Sequence, residues 1–385
     1  MDFVKTVLVT GGAGFIGSHF VCSLVNRHPD WRIINFDNLD YCSNLRNLES
    51  VEENENYTFI RGDICNPRLV NHIFATESID IVFHFAAQTH VETSFVWPSR
   101  YHMVNVEGTR VLLKAAFEAK VEKFIYISTD EVYGESLYKV YGESLYKVYG
   151  ESLYKELDET SPRRPNNPYS VSKAAAECLV LSYRERHKFP VIITRSNNVY
   201  GPRQYLEKVI PKFVSFLQLN KKCTIQGTSP QSRHFLYVDD AIEAFHTILE
   251  RGTVGETYNI GTDFEISIIQ LARELIKMVR HVPDAELDDW LEFVPDRPVV
   301  DLRYPVNCEK LWRLGWKPAV SWAEGIRRTV KWYQENPDFW PDVKPEDQPI
   351  TFEPDKHIDP LPVFVVTNPV PGELQEVLAF VPALY

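Results

Sequence analysis

An α/β fold, an open doubly wound parallel sheet with a smaller C-terminal α/β domain, is the class that three observations predict. Apolar runs of strand length recur at 4–9, 32–36, 79–85 and 123–128, without the alternation of a half-wet strand, as in strands buried on both faces. Helical patterns lie between them, at 15–25 and after Asn66-Pro67. A glycine-rich turn, Thr10-Gly11-Gly12-Ala13-Gly14-Phe15-Ile16-Gly17, joins the first strand to the first helix.

That first unit is the most explicit. Gly11 permits a tight turn, Gly14 lets the backbone approach a pyrophosphate, and Gly17 lets the helix lie close to its strand. A pyrophosphate would rest on the free N–H groups around Phe15 and Ile16, at the positive end of the helix. The second strand ends at Asp37, 20 residues after Gly17, with Asn38 beside it. A carboxylate there accepts ribose hydroxyls and repels a 2′-phosphate, so this Rossmann-like unit is expected to hold NAD rather than NADP.

Later strands deliver residues to the same crevice, at the carboxyl ends where open α/β sheets bind ligands. A strand at 59–62 leads to Asp63 and Ile64, and the one at 79–85 ends in Phe85, Ala86 and Ala87, whose small successors leave room for a ligand. Asn66 and Pro67 suit a helix cap and first turn. Residues 105–109 continue a helical segment supporting the sheet, and the strand at 123–128 presents Thr129, Asp130 and Glu131. Another helix opens at Tyr169-Ser170-Val171-Ser172-Lys173, where the i, i+4 spacing puts phenol and ammonium on one face. Of 19 tyrosines only Tyr169 is followed by lysine four positions on. An ammonium so placed favours phenolate and makes tyrosine a usable base. By pattern alone the pair also suits a surface helix, and Asp130 with Glu131 also suits exposed acids capping a turn.

Composition narrows the class. A chain of 385 residues with 44% hydrophobic content can bury a large core, and a net charge of −12 argues against nucleic acid as a partner. No run of 18 apolar residues and no signal-peptide pattern occurs, so no membrane association is expected. Cysteines 22, 42, 65, 178, 223 and 308 are scattered without metal spacing, which predicts no metal site and a reduced, cytoplasmic setting.

Taken together, the motifs resemble the extended short-chain dehydrogenase/reductases, and within them the nucleotide-diphosphoglucose 4,6-dehydratases, especially the dTDP-D-glucose 4,6-dehydratases of animal type. The resemblance covers about residues 4–333. It rests on TGGAGFIG at 10–17, STDEVYG at 128–134, the Tyr-x-x-x-Lys pair, Asn198-Val199-Tyr200-Gly201-Pro202, Glu207-Lys208, Tyr258-Asn259-Ile260-Gly261 and Asp296-Arg297-Pro298. The glycine motif and the Tyr-Lys pair are common to the superfamily, whereas the Thr-Asp-Glu triplet is specific.

The resemblance implies a lyase that oxidises carbon 4 of a hexose so that the proton on carbon 5 becomes acidic. Tyr169 would take the 4-hydroxyl proton, helped by Lys173 and Thr129. Glu131 would remove the carbon 5 proton, Asp130 would protonate the departing 6-hydroxyl, and hydride would return to carbon 6. Two adjacent carboxylates in a partly dry site repel each other, which raises one pKa and supports dividing acid from base. Related UDP-glucuronate decarboxylases keep the glutamate but carry serine at the Asp130 position, and 4-epimerases carry small or hydroxyl residues at both. Asp130 is therefore the discriminating residue, and an idle NAD and nucleotide-sugar binder is the remaining alternative.

Substrate contacts implied by the same resemblance are Thr89, Thr129 and Asn198, with the cations Lys208, Arg233 and Arg297 meeting the diphosphate. Residues 224–226 would lie beside the base, and Val299-Val300 leaves the choice of dTDP or UDP open. The expected division is an NAD-binding domain at 1–195, an interleaved sugar-nucleotide domain at 196–333, and a tail at 334–385 made irregular by its prolines. A homodimer through the helices near Asn105 and Tyr169 is implied as well. Residues 132–155 are three identical copies of Val-Tyr-Gly-Glu-Ser-Leu-Tyr-Lys, beginning at Val132, Val140 and Val148. A period of 8 is too short for a solenoid, so the repeat reads as a 16-residue expansion within a loop.

Overall fold

The computed structural model describes residues 3–134, 156–227, 231–295 and 305–340. Its strands are β1 (Lys5–Thr10), β2 (Trp31–Asp37), β3 (Tyr57–Arg61), β4 (Ile81–His84), β5 (Lys123–Thr129), β6 (Val191–Ser196), β7 (Asn198–Tyr200), β8 (Cys223–Gln226), β9 (Ser232–Tyr237), β10 (Thr257–Ile260), β11 (Glu265–Ser267) and β12 (Leu291–Val294). Seven of them form one parallel sheet in the order β10-β6-β5-β4-β1-β2-β3. The order reverses between β1 and β4, which opens a crevice at their carboxyl ends.

Successive residues of each strand enter opposite cores. Leu8, Ile34, Val82, Phe124 and Ile193 meet the helices Pro67–Thr76, Thr109–Glu118 and Pro168–His187. Val7, Ile33, Phe83, Ile125 and Ile192 meet the helices Phe15–Arg27 and Val238–Arg251. This double burial is why the strands read as apolar runs, each large side chain adding roughly 1.5–3 kcal/mol. The predicted cap at Asn66 is present, its side chain accepting from the N–H groups of Arg68 and Leu69.

Two elements differ from the sequence reading. The run 192–198, which by its apolar start reads as one strand ending at Asn197-Asn198, breaks at Asn197, whose N–H donates to the Ile260 carbonyl at 2.9 Å. Beyond the break the chain leaves the main sheet and pairs β7 with β9 in a small sheet of order β11-β9-β7. Over His102–Gly108 the helical segment widens into π-type turns. There Asn105 donates to the Gln88 carbonyl at 3.0 Å and to Ser172 Oγ at 2.8 Å, clipping the loop after β4 to the helix that carries Tyr169.

The second half supplies this small sheet, the parallel pair β8 and β12, and β10, which returns to the edge of the main sheet beside β6. The helix Trp322–Glu335 runs past the expected tail boundary, and Phe339 and Trp340 are buried because both are large apolar groups, with Arg46 stacked 4.5 Å over Phe339. The remaining tail and residues 135–155 of the repeat lie outside the described residues. Among the described residues no helix is long and apolar enough to cross a membrane.

Candidate active site

A cavity of about 840 Å³ opens over the carboxyl ends of the central strands. Its floor is backbone. Gly11 has φ +72°, and a Cβ there would meet the Ala86 nitrogen at 2.6 Å; a Cβ on Gly17 would overlap the Gly11 carbonyl. Only glycine allows that approach of turn, helix and β4 loop. The helix Phe15–Arg27 begins at Gly14 without a side-chain cap and with no acid in its first turn, so its leading N–H groups and positive end are offered to the cavity. Asp37 accepts from the N–H of Ala13 at 2.9 Å and of Leu39 at 2.8 Å, and from Ser43 Oγ at 3.1 Å. Burial raises its pKa against the pull of those three hydrogen bonds. Uncapped N–H groups, absent Cβ atoms and an acid at the end of β2 fit a dinucleotide.

Gly11, Gly14, Phe15, Ile16, Gly17, Asp37, Asn38, Asp63, Ile64, Phe85, Ala86 and Ala87 all line this cavity. So do Thr129, Glu131, Tyr169 and Lys173, and on the far wall Thr89, Asn198, Lys208 and Arg233. Of the sequence-predicted site residues, Asp130 sits just behind the wall and Arg297 lies outside the described residues.

The catalytic candidates meet where β5 ends against the helix Pro168–His187. That helix opens on a capping box between Asn167 and Ser170, with Pro168 in its first turn, which sets Tyr169 at the cavity edge. Asn167 also donates to Glu131 Oε2 at 3.1 Å. Asp130 is only 4% exposed, and its Oδ2 accepts from Asn197 Nδ2 at 2.8 Å. Burial pushes its carboxyl up to about 7; the Asn197 hydrogen bond opposes this and the Glu131 charge adds to it. The two adjacent acids are thus unlike, one buried and inclined to keep its proton, the other lining the cavity.

Tyr169 and Lys173 are both buried, and here the geometry departs from expectation. Lys173 Nζ donates to the Ile127 carbonyl at 2.6 Å and lies 4.4 Å over the Tyr126 ring. Burial lowers its pKa to about 7, opposed by the Glu177 charge. The Tyr169 phenol is raised instead of lowered, first by burial and then by Glu131, with a hydrogen bond from Thr129 working the other way.

On the far wall Lys208 Nζ donates to the Thr89 carbonyl at 2.9 Å and lies 3.4 Å from Glu207, itself buried and bound by Tyr41 Oη at 2.8 Å. Thr224 and Gln226 line the cavity at β8. Sequence reasoning missed Asn167, Asn197 and the buried pair Glu177–Arg195, whose bidentate contacts are 2.7 and 3.0 Å. The available signal was a polar residue inside an otherwise apolar strand or helix face, Arg195 in β6 and Glu177 one turn beyond Lys173.

The sequence profile of the GDP-mannose 4,6 dehydratase family matches residues 8–329. The dTDP-D-glucose 4,6-dehydratase of Homo sapiens is 55% identical over 348 residues, which span 90% of this chain and 95% of that protein. The Bos taurus protein of the same name is 54% identical over 354 residues, spanning 92% and 95%. Among solved structures, a dTDP-glucose 4,6-dehydratase from Streptomyces venezuelae with NAD and TYD bound has a TM-score of 0.79 at 35% identity, covering 87% of this chain and 99% of that one.

Proposed function

This chain belongs to the GDP-mannose 4,6 dehydratase family, and we propose that it is an NAD-dependent hydro-lyase converting dTDP-glucose or UDP-glucose to the 4-keto-6-deoxy sugar. The observation that carries the reading is the unlike pair at the end of β5: a buried Asp130 whose pKa lies near 7 beside a cavity-lining Glu131, with Tyr169 within the same cluster.

NAD would be held by Gly11, Gly14, Gly17 and Asp37, and would supply the hydride acceptor for carbon 4, the hydride donor to carbon 6 and a positive ring that favours phenolate at Tyr169. Tyr169 holds the 4-hydroxyl and takes its proton, while the buried Lys173 orders the helix face beneath the phenol. The ketone makes the carbon 5 proton acidic, and Glu131, steadied by Asn167, removes it. Asp130, neutral up to about pH 7, gives its proton to the 6-hydroxyl, which leaves as water. Lys208 and Arg233 meet the diphosphate, with Thr89 and Asn198 beside them, and Arg297 completes the cationic set. Lys208 must exchange its contacts with Thr89 and Glu207 for phosphate oxygens.

The division at 1–195 and 196–333 follows the same logic, cofactor on the main sheet and sugar nucleotide against the small ones. A homodimer through the helices bearing Asn105 and Tyr169 is supported by the exposed apolar Met103 and Val171 on those two segments, 47% and 49% exposed; light scattering tests it. The activity is tested by incubating the NAD-loaded protein with dTDP-glucose and with UDP-glucose and following the alkaline absorbance of a 4-keto-6-deoxy product. Failure with both, or a pentose formed from UDP-glucuronate, overturns the assignment.

A further inference from the structure

We propose that Asn197 is a positioning residue that fixes the transferable proton of Asp130 on Oδ1, by donating its own amide hydrogen to Oδ2. The inference rests on the dehydratase reading and extends it to a residue outside the Thr-Asp-Glu triplet.

Asn197 occupies the break between β6 and β7 and is buried. Its orientation is set by neighbours of one hydrogen-bonding sense. The N–H of Thr262 approaches Asn197 Oδ1 at 3.2 Å, and a backbone N–H can only donate, so that atom is the amide oxygen. The amide nitrogen therefore faces Asp130 and donates to Oδ2 at 2.8 Å. Gly261 makes room for this pose, because a Cβ there would overlap Asn197 Oδ1. The Asn197 N–H is itself tied to the Ile260 carbonyl at 2.9 Å. Every polar atom of Asn197 that bears on its orientation is thus committed.

A protonated Oδ2 would set hydrogen against hydrogen, so the neutral acid carries its proton on Oδ1. That oxygen faces the Thr129 hydroxyl at 3.3 Å, and a hydroxyl, unlike an amide N–H, can turn from donating to accepting when Oδ1 carries the proton. In the elimination, Glu131 takes the carbon 5 proton and that electron pair forms the carbon 5–carbon 6 double bond. The carbon 6–oxygen bond breaks, the O–H bond at Oδ1 breaks, and the departing oxygen takes that proton and leaves as water. Asp130 is left as a carboxylate, and the Asn197 hydrogen bond strengthens as that charge appears. The other titratable groups facing Asp130 are Glu131 beside it, Tyr169 on the adjoining helix, Arg233 on β9 and Cys308.

The test compares NAD-loaded wild type with the near-isosteric Asn197→Leu and the smaller Asn197→Ala, both of which remove the donor to Asp130 without adding a charge. With dTDP-glucose, absorbance of the reduced cofactor reports carbon 4 oxidation and the alkaline assay reports elimination. Oxidation should stay within about threefold while elimination slows about tenfold to hundredfold, the loss typical of one hydrogen bond to a charged group. An N–H donor favours the carboxylate, so its removal raises the Asp130 pKa and moves the basic limb of elimination up by about one pH unit. Equal loss in both steps with an unmoved limb gives Asn197 a merely structural role and overturns the proposal; Asn197→Ala decides alone if Asn197→Leu does not fold. A wild type that never eliminates water overturns the dehydratase reading and this one together, whereas wild-type turnover with unaltered variants overturns only this one.

Discussion

The two walls of the cavity are built from different materials. The cofactor floor is backbone: Gly11 donates to the Phe36 carbonyl at 2.9 Å, the helix Phe15–Arg27 offers bare N–H groups, and Asp37 is held by three donors from residues 13–43. The substrate wall is side chain: Thr89, Thr129, Glu131, Asn198, Lys208 and Arg233 reach in from separate elements spread over 145 positions, 89 to 233. Backbone recognition is rigid and generic. Side-chain recognition can be tuned one group at a time, as the unlike surroundings of Asp130 and Glu131 show. Substitutions should therefore act on the two walls in different ways: all chemistry lost at their junction, one step lost at the substrate wall, affinity lost at the floor.

The largest effect is expected at the junction. Tyr169→Phe removes the group proposed to take the first proton, and both oxidation and elimination should fall about 10³- to 10⁴-fold in stopped-flow absorbance, with NAD affinity kept. Near-normal oxidation in this variant would assign that proton to another residue.

Next comes the substrate wall. Asp130→Asn should still reduce bound cofactor on mixing with dTDP-glucose, while water loss falls about 10²- to 10³-fold. The same change carries a stability prediction of opposite sign. The folded pKa of about 7 lies above the ordinary 3.8, so between those values the folded chain keeps a proton that the unfolded chain releases. Stability from this group therefore falls as pH rises through that window. Asn carries no such cost, so the variant should melt a few degrees higher than wild type at pH 8 and lose that advantage near pH 4. Equal melting curves at pH 8 would place the carboxyl in a wetter setting than the structure gives it.

The same contrast explains what could be read beforehand. Backbone recognition needs glycines at fixed spacing and an acid at a strand end, and those signals lie within residues 11–37. The main-sheet strands were legible because burial on both faces leaves unbroken apolar runs. The break at Asn197 was not, since it depends on Thr262 and Gly261, more than sixty positions away. Nor was the direction of the Tyr169 shift: the spacing to Lys173 is local, but the burial that reverses its effect comes from the assembled fold. At the floor, Gly11→Ala adds a Cβ at φ +72° against the Ala86 nitrogen, a strain of about 1–3 kcal/mol. Calorimetry should record that as NAD affinity weakened about tenfold, with the kcat of the saturated enzyme nearly unchanged. A lower kcat at saturating NAD would mean that the two walls are mechanically coupled.

The smallest effect is expected next to the catalytic triplet itself. At the start of the first copy of the tandem repeat, Gly134 at φ +69° donates to the Glu131 carbonyl at 3.1 Å, and the Val132 carbonyl accepts from Arg164 at 3.0 Å. Tyr133 Oη accepts from Arg195 and donates to Asn259 Oδ1, both at 2.8 Å. On the other side, the Leu157 N–H donates to the Pro305 carbonyl at 2.9 Å and its carbonyl accepts from Asn259 Nδ2 at 3.0 Å. Asn259 thus ties both flanks to β10, whatever length of chain runs between them. Deleting residues 140–155 leaves one copy of the repeat and both sets of anchors, so elimination and oxidation rates should each stay within about twofold, because loop length enters stability only logarithmically. The closure term favours the shorter loop by about 1 kcal/mol, a small rise in melting temperature. A tenfold gain in turnover on deletion would instead mean that the repeat restrains the triplet despite its anchored ends, and the comparison between walls would then need a third region.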